Sequence, residues 1–336
     1  MKAVVQVALG EAPDVLEVVD IEERDQPAAG NISVKVALAP VHHGDLQVIR
    51  SQPDVPEDGY VRRGSEAVGY VSALGSNVAA HSNLKVGDRV IGFPANGSWA
   101  ESVEVPGFAA IPVPSDVSDE VAAQLLINSI TALTILRDLR RSVPDAALRE
   151  RVVLVTGAST VVGRLLLHLL GQDGGTPIGL ARSTASAERV ADEITGARVI
   201  ATDAGDWQAQ VTSCAAGKEI VGVLDCVSGT LIGDLAPLLA DGAVIIAYGA
   251  LGGQQLGIGV TDIVVRQFVI RGVTFGRWFV ELSREEQASD IEAAFRLARE
   301  VPAVFKVSGA YSLQAFGEAI AAVEAPNRDG FVFIKP

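Results

Sequence analysis

A chain of 336 residues is long enough for two domains with separate cores, and its 49% apolar and 20% charged residues mark a folded protein rather than a disordered one. With 41 acidic side chains against 27 basic ones, a net charge of −14, nucleic acid is excluded as the expected partner, because phosphate backbones call for concentrated Lys and Arg. No apolar run approaches the roughly 18 residues needed to cross a bilayer, and Met1 to Gln6 lacks the features of a secretory leader, so a cytoplasmic protein with no membrane partner is expected.

Residues 1 to about 125 read as β-rich. Ile32, Val34, Val36 and Leu38 alternate with Ser33, Lys35 and Ala37, the period of a half-buried strand. Leu84 to Val90 places a Gly-Asp turn between two short apolar stretches. Near residue 120 the pattern changes. Val121 to Leu139 has helical spacing. Strand-like Val152 to Val155 then precedes helix-like Val162 to Leu170, strand-like Ile178 to Leu180, and a helix from about Ala185 to Thr195. Further strands are predicted at Val199-Ile200, Val221 to Cys226, Ala243 to Ala247 and Val264 to Phe275, followed by helices at Arg284 to Glu300 and Leu313 to Val323 and a terminal strand at Gly330 to Ile334. Strands alternating with helices of this length predict βαβ units and a parallel sheet, hence an α/β protein. The two cysteines, Cys214 and Cys226, cannot build a disulfide framework or a four-thiolate zinc site; Cys226 reads as a small buried residue of its strand.

The strand Val152 to Val155 runs straight into Thr156-Gly157-Ala158-Ser159-Thr160-Val161-Val162-Gly163 and an apolar helix. A tight strand-to-helix turn leaves backbone N–H groups and the positive end of the helix dipole facing outward, which suits a pyrophosphate. Gly163 would let the helix pack close to the sheet, although Val161 stands where close approach to phosphate usually asks for glycine. Ser159, Thr160, Val161, Val162 and Gly163 are therefore the candidate phosphate-binding residues. The next strand ends Gly179-Leu180-Ala181-Arg182-Ser183. An acid there would bind both ribose hydroxyls; Arg182 and Ser183 instead suit a 2′-phosphate, which favours NADPH. A solvated arginine at a strand end is the plainer alternative.

In order along the chain, Ala39 to Asp45, Gly64 to Gly69, Leu84 to Val90, Gly97 to Glu101, Ile127 to Ala132, the glycine turn, Asp225 to Gly229, Ala247 to Gly249 and Arg271 to Val273 make a series that resembles the medium-chain dehydrogenase/reductase superfamily over nearly the whole length. Within it the chain is most similar to the zinc-free quinone oxidoreductases and 2-enoyl thioester reductases. The resemblance implies a GroES-like β-rich catalytic domain at 1–125 and 263–336 and a Rossmann doubly wound dinucleotide-binding domain at 126–262. It implies homodimers as well, with the apolar stretch Ile258 to Ile270 either supplying the contact or forming a buried strand.

Zinc-dependent relatives hold a metal with Cys and His at positions that read His42 and Ser65 here, so no metal is expected; His42, His43 and Glu66 make an awkward set, because adjacent histidines rarely converge on one ion. The resemblance also places Asn128 and Thr131 beside the nicotinamide and substrate, Tyr248, Gly249 and Phe275 near the cofactor, and His43 and Trp278 at the substrate pocket. The tyrosine of the enoyl reductases is replaced by Pro53, with Tyr60 in the same loop as a substitute proton donor or simply a solvent-facing residue. A lysine common near the C-terminus is replaced by Phe331. His81 and His168 read as structural. These features together imply an enzyme in which NADPH passes hydride to a small electron-poor acceptor, a quinone or an α,β-unsaturated carbonyl compound, with Asn128, Thr131 or backbone N–H groups stabilising the charge that develops. Two alternatives stay open: an enoyl thioester reductase, with Arg62, Arg63 or Arg277 receiving a carrier phosphate, and an NADPH-binding sensor or structural protein with little catalysis.

Overall fold

The computed structural model describes every residue except 25, 52–54, 57, 58, 79–82 and 327; Pro53 and His81 therefore lie outside the described residues. Contacts divide the chain into two units, Met1–Ile127 with Phe305–Pro336, and Asn128–Val304.

In the first unit, β1 (Lys2–Gln6) pairs antiparallel with β2 (Leu16–Asp20). The alternation read around residue 34 becomes β3 (Asn31–Pro40), with Ile32, Val34, Val36 and Leu38 all buried. A two-residue strand, β4 (Val61–Arg62), adds to the other edge of β1. The second sheet is built on β3 by β5 (Ala67–Leu74), β6 (Arg89–Gly92), β7 (Ser102–Pro106) and β8 (Ala110–Pro112): β5 lies beside β3, β6 beside β5 and β8 beside β6, while β7 pairs with the first half of β3. The core between these strands is aliphatic, and Trp99 enters it with its indole N–H donated to the Pro40 carbonyl at 3.0 Å.

The second unit is a six-stranded parallel sheet of β9 (Val152–Thr156), β10 (Thr176–Ala181), β11 (Arg198–Ala201), β12 (Ile220–Asp225), β13 (Val244–Ala247) and β14 (Val269–Gly272), in the order β11-β10-β9-β12-β13-β14. Every residue of β9 and β12 is buried, which is why both read as uninterrupted apolar runs rather than alternating ones. The chain moves outward from β9 to β11 and then crosses to β12 on the opposite side of β9. That reversal opens a crevice at the carboxyl ends of β9 and β12, where doubly wound folds bind ligands. The helix Val161–Gln172 begins at this point, and Thr184–Glu193 follows β10.

Two differences from the sequence expectations concern this unit. The stretch 263–304, assigned from sequence to the catalytic domain, belongs here, because β14 is hydrogen-bonded to β13 over Val244–Ala247. The single strand predicted at Val264 to Phe275 is a helix, Val260–Arg266, ended by Gln267 in a left-handed conformation (φ 58°), and then the four-residue β14. After the helix Arg284–Glu300 the chain returns to the first unit. There β15 (Val307–Tyr311) pairs parallel with β16 (Phe331–Ile334), which lies antiparallel to β3. The helix predicted at Leu313 to Val323 is a 3-10 turn, Leu313–Ala315, capped by Ser312, followed by the helix Phe316–Glu324.

Candidate active site

The glycine turn of the second unit is tied down on its inner side and open on its outer side. Gly157 sits at φ 58°, and a Cβ there would lie 2.3 Å from the Cys226 sulfur, so only glycine fits. The Thr160 N–H and hydroxyl both donate to the Gly157 carbonyl (2.9 and 2.8 Å), and the same hydroxyl oxygen accepts from Gly163 N–H at 3.0 Å as the helix N-cap. Ala158 N–H reaches back to the Leu180 carbonyl of β10 at 3.0 Å. A Cβ on Gly163 would stand 2.4 Å from the Gly157 carbonyl oxygen, so the helix can pack this close to the turn only with glycine in that place. What is left over is a set of donors: the N–H groups of Ser159, Val161 and Val162 have no partner among the described residues. A helix start carrying orphan N–H groups and a favourable dipole is suited to an anion. The Val161 side chain, at the place where glycine was expected, is buried, only 6% exposed.

At the end of β10, Arg182 is exposed and has no hydrogen bond or ion pair among the described residues. Ser183 caps the following helix, accepting from Ser186 N–H at 3.4 Å. The Ser186 hydroxyl in turn receives Arg189 Nη2 at 3.0 Å and lies 3.1 Å from the Ser183 hydroxyl. Arg189, which the sequence did not single out, thus brings a second guanidinium to this corner.

Across the crevice, Asp225 is wholly buried at the end of β12 and accepts from the Thr156 hydroxyl (2.6 Å), Val227 N–H (3.0 Å) and Ser228 N–H (3.0 Å). Burial pushes its carboxyl up from the ordinary value while these donors pull it down. Burial likewise pushes the Cys226 thiol up to about 12 and holds the Tyr248 hydroxyl well above its usual range, the two groups lying against each other. Both therefore stay protonated near neutral pH.

In the first unit the motif residues form a closed polar cluster. His42 Nε2 is 3.1 Å from Glu66 Oε2, and the other Glu66 oxygen accepts from Leu126 and Ile127 N–H (2.8 and 3.2 Å), the first turn of the helix Leu125–Ser142. Asp45 accepts from His42 N–H (3.1 Å) and the Ser65 hydroxyl (2.7 Å). Burial raises the Glu66 and Asp45 carboxyls against the pull of His42. His43 Nε2 accepts from Arg328 at 3.2 Å, and burial, with Arg328, His42 and Arg50 near it, lowers its pKa to about 4. It is neutral at physiological pH. Among the described residues no group of three or more His, Cys, Asp or Glu side chains converges on a point where a metal ion would sit.

Residues 28–115 match the family described as the alcohol dehydrogenase GroES-like domain. The chain is 28% identical over 284 residues to the mitochondrial enoyl-[acyl-carrier-protein] reductase of Bos taurus, covering 80% of this chain and 72% of the relative. A mycobacterial protein solved in complex with NADPH superposes with a TM-score of 0.85 at 25% identity, both chains being covered fully. The Escherichia coli quinone oxidoreductase, also solved with NADPH, has the same fold, with a TM-score of 0.84 at 21% identity over the whole of both chains. The chain is thus similar, in its GroES-like stretch and in its whole fold, to medium-chain dehydrogenases/reductases.

Against that superfamily pattern, the remaining candidate residues separate into two groups. Asn128 (buried) and Thr131 (half-buried) lie three positions apart, on one face of the helix Leu125–Ser142. Tyr248 and Gly249 follow β13 at the crevice, Tyr248 N–H donating to the Asp225 carbonyl at 2.8 Å. The others are placed as follows. Trp278 is 3% exposed, and its indole N–H is committed to Asp290 Oδ2 at 2.8 Å. Phe275 immediately precedes the short helix Gly276–Glu281 and meets Phe279 edge-on, ring centres 6.4 Å apart. Tyr60 is 47% exposed, a solvent-facing loop residue. Arg62 donates to the Gly97 and Ser102 carbonyls (2.8 and 2.7 Å), Arg63 is buried with its Nε on Gln6 (2.6 Å), and Arg277 pairs with Asp138 and Glu281 (2.7 and 2.6 Å). His168 pairs with Glu300 at 3.5 Å.

Proposed function

We propose that this chain is an NADPH-dependent oxidoreductase that reduces a small electron-poor acceptor, a quinone or an α,β-unsaturated carbonyl compound, without a metal. The observation that carries the reading is the trio of N–H groups without partners among the described residues at the carboxyl ends of β9 and β12, with Arg182 rather than an acid at the end of β10. Bound NADPH supplies the hydride. The chain's own part is to hold and orient: the Ser159, Val161 and Val162 N–H groups take the diphosphate, and Arg182 with Ser183 takes the 2′-phosphate. Asn128 and Thr131 offer a side-chain amide and a hydroxyl to the oxygen on which negative charge grows as the acceptor is reduced. Tyr60 stands in solvent, so water is the proton source this reading favours.

Metal-free action is supported by the donor set. His42 Nε2 is already on Glu66, and His43 Nε2 is already receiving a guanidinium. With no metal as Lewis acid, an acceptor that is electron-poor to begin with is the natural substrate.

The bovine relative favours a second reading, reduction of an enoyl thioester. Its carrier phosphate would need cations to spare, and Arg62, Arg63 and Arg277 are all engaged within the fold. NADPH oxidation followed with quinones, enones and short enoyl thioesters separates the readings. The proposal expects turnover with the first two. Turnover with thioesters alone would replace it, and NADPH binding without turnover on any of them would make the chain a sensor.

A cytoplasmic homodimer is the form proposed. No helix among the described residues is long and apolar enough to cross a membrane. The helix Val260–Arg266 buries none of its residues, exposing Val260, Val264 and Val265 (74%, 60% and 69%) beside β14, the sheet's edge strand, where Val269 and Ile270 are also exposed. An apolar edge of this kind asks for a cover, and a second copy supplies one by symmetric edge-to-edge contact.

A further inference from the structure

The helix after the glycine turn carries one charged residue inside its apolar run: Arg164, between Gly163 and Leu165. It is only 2% exposed, among the largest fully buried side chains of the molecule. Such a group is costly to bury unless it is paired and hydrogen-bonded, and its partners define a role. Its Nε forms an ion pair with Glu193 Oε2 at 2.8 Å, and its Nη1 donates to the Ser159 carbonyl at 2.6 Å.

The second of these bonds matters for the ligand. The peptide joining Ser159 to Thr160 is held at both ends, its carbonyl by Arg164 and its N–H by the Gly157 carbonyl. Because a peptide unit is planar, fixing both ends fixes its orientation. The peptides on either side of it carry the N–H groups of Ser159 and Val161, two of the three donors left open. Glu193, the last residue of the helix Thr184–Glu193, anchors the guanidinium from the element that begins at the Ser183 cap.

We propose that Arg164 is a positioning residue for the cofactor diphosphate, acting through the Ser159 carbonyl to hold the turn's donor array in one geometry. This rests on the NADPH reading above. It explains why a buried ion pair stands where an apolar pair would pack as well: replacing such pairs by hydrophobic residues of similar volume is often neutral for stability, so stability alone gives no reason for Arg and Glu in these places.

The test compares binding with stability. In Arg164→Met/Glu193→Met the buried charges leave together, so the fold is expected to melt close to wild type. NADPH and NADH dissociation constants, by calorimetry, are both expected to rise roughly tenfold, the scale of one hydrogen bond to a charged group. Glu193→Gln, which leaves the Arg164–Ser159 bond in place, is expected to bind NADPH nearly as well as wild type, and Arg164→Lys, which keeps a donor for the carbonyl, to fall between. Should the double variant bind NADPH as tightly as wild type, or Glu193→Gln lose as much as the double variant, the role assigned to the Ser159 bond is wrong. Both single variants keep a polar partner for the group that remains and stay readable if the double variant fails to fold. Failure of the wild-type chain to bind NADPH would sink the functional reading itself, a different result from an unaffected double variant.

Discussion

The glycine turn of the second unit and the histidine–carboxylate cluster of the first are both built from motif residues, yet they end in opposite states. Around His42, Glu66, Asp45 and Ser65, the side-chain and backbone groups satisfy one another: the glutamate alone takes an imidazole and two helix N–H groups. In the turn, side chains and carbonyls are equally well tied, but three N–H groups are left without partners among the described residues. Helix-start N–H groups without partners are suited to an anion, so the region that stops short of satisfying itself is the one proposed to hold the ligand. A closed cluster of conspicuous residues is better read as scaffold.

The sharpest way to break this comparison is Gly163→Val. A Cβ 2.4 Å from the Gly157 carbonyl forces the helix off the turn, and overpacking of this kind costs about 1–3 kcal/mol before any ligand is considered. NADPH affinity is expected to drop by roughly two orders of magnitude; unaltered binding would mean that the diphosphate sits elsewhere.

Next in size is Arg182→Ala. Loss of a charge-assisted contact to the 2′-phosphate is expected to weaken NADPH by roughly 10- to 100-fold and leave NADH almost untouched. Equal losses for both would remove Arg182 from the phosphate and point to Arg189 instead.

The closed cluster has its own signature, in stability. His43 is held at about 4 in the folded chain, against 6.5 when exposed. As pH falls from 6.5 to 4 the unfolded chain takes up a proton that the folded chain refuses, so stability is lost across that window, by about 3 kcal/mol in all. His43→Leu should flatten that part of the urea-denaturation pH profile. An unchanged profile would mean that His43 is not desolvated as described.

The smallest effect on chemistry is expected at the exposed edge. Val264→Glu with Val265→Glu should convert a dimer to monomers in size-exclusion chromatography while leaving turnover per chain within about twofold, as for surface changes remote from the site. A wild-type chain that elutes as a monomer would leave the apolar edge without the cover proposed for it.

Much of this was legible in the sequence, for reasons particular residues make plain. β9 and β12 announced themselves because strands covered on both faces are apolar throughout, and β3 because its buried and exposed residues alternate. The turn was readable from Gly157, Gly163 and the strand before them. The stretch around 264 misled because Val260, Val264, Val265, Val269 and Ile270 are exposed in this chain, and an exposed apolar residue looks the same in sequence as one in the core. Arg62, Arg63 and Arg277 looked available because their acceptors, mostly backbone carbonyls and acids distant in sequence, are invisible before the chain is folded. Arg164 left a signal that went unread: a lone charge inside an apolar helical run needs a buried partner, and Glu193 is that partner.

The most direct measurement is a crystal structure of the chain soaked with NADPH. The account predicts the diphosphate within hydrogen-bond distance of the Ser159, Val161 and Val162 N–H groups, with the 2′-phosphate at Arg182 and Ser183. A dinucleotide bound away from the carboxyl ends of β9 and β12, or none bound at saturating concentration, would contradict it.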